Sequence, residues 1–108
     1  MTIGSLFDER PVPWGLRGDP HLWQEMQYRF ESTPLPASLA AFDRLLVEAY
    51  ESVTGQSVEN DTFVYVERFD HGGMSRGMVS PPWWRETAFP LLRSRYREAV
   101  SSGRKGSR

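Results

Sequence analysis

The sequence predicts an α+β fold: a small single domain in which a helical pair and a kinked C-terminal helix pack on a short antiparallel β-hairpin or three-stranded sheet. Three observations lead to that expectation. Apolar residues recur at helical spacing over 20–32 and 39–54, residues 62–69 read as a strand, and Ser80-Pro81-Pro82 opens another helix after a glycine-rich turn. The order helix, helix, strand, short strand, helix is not the alternation of a doubly wound sheet.

The first eighteen residues contain Pro11, Pro13, Gly15 and Gly18, spaced so that no regular element runs through them. Val12, Trp14 and Leu16 are apolar, so the segment is expected to lie extended across the body, with Leu6 and Phe7 tacking down its start. Asp19 and Pro20 then form a helix start, the carboxylate capping free N–H groups and the proline occupying the first helical position. Trp23, Met26 and Phe30 mark its core face, and Pro34 and Pro36 end it. Ser38 is the expected cap of the second helix. Its stripe is Leu39, Phe42, Leu45, Leu46, Ala49 and Val53, and Gly55 closes it.

In the strand over 62–69, Val64 and Val66 share one face and Phe63, Tyr65 and Phe69 the other. After Asp70-His71-Gly72-Gly73, residues 74–79 are expected to return antiparallel. Two strands alone are marginal, so residues 10–16 or a second subunit are expected to add a third. The last helix buries Trp84, Ala88, Leu91, Leu92, Tyr96 and Val100. Pro90 is expected to kink or break it near Ala88 and Phe89, leaving Arg93, Arg95, Arg97 and Glu98 on its surface side. Residues 1–100 are expected to form one compact domain, and 101–108 a flexible basic tail.

The chain has 108 residues and no cysteine, which excludes a disulfide framework, a thiol nucleophile and a thiolate metal site. No apolar run is long enough to span a bilayer, and the N-terminus carries no leader-like pattern, so the expectation is a cytoplasmic chain without membrane contact. Net charge is −1, yet residues 1–84 hold six Arg against twelve acidic residues, and residues 85–108 hold seven basic residues against two. An acidic body and a basic arm permit internal steering or an anionic partner. The arm, Arg93, Arg95, Arg97, Arg104, Lys105 and Arg108, has no accompanying nucleic-acid motif, which disfavours nucleic-acid binding.

The turn Asp70-His71-Gly72-Gly73 with Arg76 is the first candidate site. His71, Asp70 and Arg76 are the catalytic candidates, and Gly72, Gly73, Arg76 and Arg17 the ligand-binding ones, because paired glycines converge N–H groups on an anion and His71 titrates near neutrality. A plain structural turn competes with that reading. Trp14, Tyr65 and Trp83 are the interface candidates, since Trp83 and Trp84 are adjacent and cannot both face the core. One of the pair is expected to pack inward and the other to rest on Pro81 or on the N-terminal segment, or, as an exposed Trp83 beside Arg85, to serve as a contact anchor. No metal site and no cofactor are expected.

These features favour a small protein-interaction or regulatory domain, with a protein partner or a homodimer engaged through an aromatic surface or strand edge. The alternatives are a small enzyme or anionic-ligand-binding domain using the His71 loop, and weak nucleic-acid binding through the basic arm. The residues alone neither establish nor exclude catalysis.

Overall fold

The computed structural model describes residues 1–8, 10–14, 20–70 and 73–106, without the side chains of 65–70, 73–78 and 103–106. A short 3₁₀ turn, Ile3–Leu6, comes first. It is followed by α1 (Pro20–Arg29) and α2 (Leu39–Thr54). The strands β1 (Val64–Asp70) and β2 (Gly73–Val79) pair antiparallel, with Val64 opposite Val79 and Glu67 opposite Arg76. The C-terminal helix then runs through α3 (Pro81–Trp83), a π-helical stretch (Trp84–Ala88) and α4 (Phe89–Gly106).

The expected α+β class is overturned. Of the residues whose side chains are described, 63% are helical. Among the described residues, the core is made by the helices and the N-terminal turn, joined by Val58 and by Val79 at the end of β2. β1 and β2 pair with each other alone, and residues 11–14 form no third strand beside them. The physical reason lies in the aromatic side chains. Phe7, Trp23, Phe42, Tyr50, Trp84, Phe89 and Tyr96 fill the space between helices, so no sheet layer is needed to close the core.

Each helix boundary follows local chemistry. The Ser38 hydroxyl accepts from the Ala41 N–H at 3.2 Å, and Gly55 closes α2 at φ 70°, its N–H donating to Glu51 at 2.8 Å. The expected Asp19 cap lies outside the described residues. Along α2, Phe42, Leu46, Ala49, Tyr50 and Val53 are buried, and the helix packs more broadly on α4 than on α1. Arg93 Nε on Asp43 at 2.6 Å ties the two together. The Tyr96 ring stacks on Phe42 with centroids 4.7 Å apart, and its hydroxyl donates to the Pro36 carbonyl at 2.7 Å.

Pro90 does not break the last helix. Its missing N–H leaves the Glu86 carbonyl without an i+4 donor, and the helix answers one turn earlier by widening. The Phe89 N–H donates to the Trp84 carbonyl, five residues back. Helical backbone continues through Gly106.

The N-terminal turn is built into the body. Ile3 N–H donates to Thr33 at 2.7 Å and Gly4 N–H to Phe30 at 3.0 Å, while Ile3, Leu6 and Phe7 are buried. Gly4 lies against the end of α1 so closely that a Cβ would stand 2.8 Å from Glu31 Cα and 2.9 Å from the Gln27 carbonyl oxygen. Backbone meets backbone there, and neither side can rotate away. Gly4→Ala is therefore expected to lower the free energy of unfolding by about 1–3 kcal/mol in urea melts. Ser5→Ala, at the exposed neighbour, is expected to change it by less than about 1 kcal/mol.

Candidate functional site

The N-terminal segment and α1 together shape a hollow of about 420 Å³, lined by Thr2, Gly4, Ser5, Gln24, Gln27, Tyr28 and Glu31. α1 has two stripes. Trp23, Met26 and Phe30 turn inward, and Gln24, Gln27, Tyr28 and Glu31 repeat at i, i+3, i+4, i+7 along the hollow. Tyr28 is 59% exposed, the largest exposure of any aromatic side chain among the described residues. Two amides, each both donor and acceptor, a tyrosine ring, hydroxyls and one carboxylate suit main-chain recognition. The lining contains no histidine and no carboxylate pair.

The N-terminal segment that supplies one wall of this hollow is anchored further along by Arg95, which the sequence places on the surface side of the last helix. That expectation is corrected: Arg95 is 5% exposed. Its Nη1 donates to the Leu6 carbonyl at 2.8 Å, and its Nη2 to the Arg10 and Pro11 carbonyls at 3.3 and 3.4 Å. The guanidinium stands 5.8 Å from the Trp23 ring centroid and 3.3 Å from Asp8 Oδ1. The carbonyl of the buried Leu6 thereby finds a donor. Burial, reinforced by the neighbouring Arg10 charge, pulls the Arg95 pKa below its ordinary value. At Asp8, burial acts upward, but the hydrogen bonds from the Arg10 side chain and backbone and the charges of Arg10 and Arg95 outweigh it, and its pKa falls below 3.8.

The indoles complete the clamp. Trp23 Nε1 donates to the Phe7 carbonyl at 3.0 Å and Trp83 Nε1 to the Pro13 carbonyl at 3.1 Å. Trp14 stacks on Trp83 with centroids 5.6 Å apart and meets Trp23 edge-on at 5.7 Å. All four tryptophans thus form one contiguous cluster under the N-terminal segment.

Of the interface candidates, Trp83 is buried at 8% exposure beneath Trp14, which is half-buried. Tyr65, Asp70, Gly73 and Arg76 lie on the two strands, with Tyr65 opposite Met78 and Asp70 opposite Gly73. Arg17, His71 and Gly72 lie outside the described residues. The structure therefore brings Trp14 and Trp83 together and leaves the His71 loop undescribed. Tyr28 escaped the sequence reading, although its place on the polar stripe of an amphipathic helix is a signal that could have found it.

Among the described residues no group of three or more potential metal ligands occurs, and no helix is long and apolar enough to cross a membrane. No family model, curated protein or solved structure matches the chain.

Two outcomes test the clamp. Arg95→Met, which keeps the length of the side chain and removes its donors, is expected to cost about 2 kcal/mol in urea melts, because the Leu6 carbonyl loses its partner. Asp8 has a folded pKa below the 3.8 of the unfolded chain, so its contribution is complete above that value and lost as pH falls below it. Unfolding measured between pH 7 and 2.5 is expected to show this loss in the native protein, and a shallower one in Asp8→Asn.

Proposed function

We propose that the chain is a small protein-interaction domain that docks an extended segment of a protein partner, or of a second copy of itself, in the hollow beside Tyr28. The observation that carries this reading is Tyr28 itself, 59% exposed on the stripe that also presents Gln24, Gln27 and Glu31. A tyrosine offers a large, rigid contact area with a polar tip at small conformational cost, which is why it is enriched in binding surfaces. Gln24 and Gln27 supply the paired donors and acceptors that a partner's main chain requires, and Gly4 lets the N-terminal turn close up against the end of α1 to form the facing wall. The tryptophans support the site from within instead of meeting the partner directly.

A photo-crosslinking amino acid at position 28, compared with one at exposed position 44 on α2, tests the reading in the expressing cell. A discrete adduct formed from position 28 alone is the expected result; its mass distinguishes a second copy from another protein. Equal labelling from both positions, or none from position 28, contradicts it. Tyr28→Ala is expected to suppress the corresponding complex while changing unfolding stability by less than about 1 kcal/mol.

A further inference from the structure

A second hollow, of about 360 Å³, lies where the N-terminal segment meets α4. Leu6 and Ala99 give it an apolar wall, and Asp8, Arg10, Arg95 and Glu98 give it charge. Asp8 answers both guanidinium groups, lying 2.9 Å from Arg10 Nε and 3.3 Å from Arg95 Nη1. The other carboxylate, Glu98, stands 3.7 Å from Arg10 Nη1 with 68% of its side chain exposed. Among the described residues no further carboxylate reaches either arginine. Among the described residues, the outer edge of Arg10 is thus held by one long, solvent-exposed ion pair, the kind that contributes least.

An anion presenting two oxygens to that edge exchanges this loose contact for a bidentate one. It also gains the buried positive charge of Arg95 beneath it, where the low-dielectric surroundings screen less. We propose that the hollow binds a small oxyanion, a carboxylate or phosphate group, on the Nη edge of Arg10, with Glu98 turning out into solvent. Arg95 keeps its bonds to the Leu6, Arg10 and Pro11 carbonyls and contributes charge alone. The Leu6 and Ala99 wall favours a carboxylate with a short apolar tail over a bare inorganic ion. This site is separate from the Tyr28 hollow, and its fate does not depend on that reading.

The arginine Nε–H resonances of the full chain read the binding directly. Sodium butyrate and inorganic phosphate are titrated separately at pH 7, at an ionic strength held constant with sodium chloride. The expected result is a saturable shift of the Arg10 resonance with butyrate, tightened about three-fold in Glu98→Gln, where the competing charge is gone. Saturation in Arg10→Gln, followed on Arg95, is expected to disappear. Saturation by phosphate alone supports the oxyanion site and assigns it to a phosphate group. Shifts with both probes that stay linear and match chloride overturn the proposal, as does saturable binding unchanged by both substitutions. Glu98→Gln alters an exposed side chain, so the comparison survives if Arg10→Gln perturbs the N-terminal segment.

Discussion

The contact on which the rest of this structure depends is a buried guanidinium beneath an irregular strip of chain. The described residues 1–8 and 10–14 contain two prolines and, beyond the 3₁₀ turn, no helix or strand, so their carbonyls must find donors elsewhere. Arg95 provides several from one rigid fork, reaching Leu6, Arg10 and Pro11 while Asp8 balances part of its charge. Trp23 and Trp83 each add an indole N–H to a carbonyl of the same segment. The segment thereby becomes the lid of the hydrophobic core and the wall of both surface hollows.

With that lid in place, the helices close around aromatic side chains. Trp84 lies at the centre, fully buried, within about 6 Å of the rings of Trp23, Tyr50, Trp83 and Phe89. The π-helical stretch that begins with Trp84 reconciles two demands on the last helix: Pro90 withholds a donor, and the bulky rings on either side must still face inward. A widened turn meets both without a break. Where side chains are described, the β-ribbon contributes Val79 to this core.

Much of the helical detail was legible because it is local. The Ser38 cap, the Gly55 terminator and the inward face of Trp23, Met26 and Phe30 each depend on a few neighbouring residues, and spacing alone identifies them. Tyr50 sits on the same grid, four residues after Leu46 and three before Val53, and is buried with them. Arg95 was illegible for a different reason: among neighbouring arginines nothing local marks the one that is buried, because its partners are some 85 residues away in sequence. The fold class failed on the same kind of non-local fact. A good strand pattern over 62–69 says that a ribbon can form, but not whether the core uses it. As for the sites, the turn around His71 drew attention through its glycines, whereas Tyr28 and the pairing of Arg10 with Glu98 emerge only when the N-terminal segment is laid against α1 and α4.

This architecture requires the N-terminal segment to be part of the cooperative core and not a frayed terminus. Native-state amide hydrogen exchange at Ile3 and Gly4, whose N–H groups donate to Thr33 and Phe30, measures this directly. The predicted result is protection equal to that of Leu46 and Ala49 in α2, with all four amides opening at the free energy of global unfolding. Exchange at Ile3 and Gly4 several orders of magnitude faster than in α2, through local opening of residues 1–14, would contradict the account.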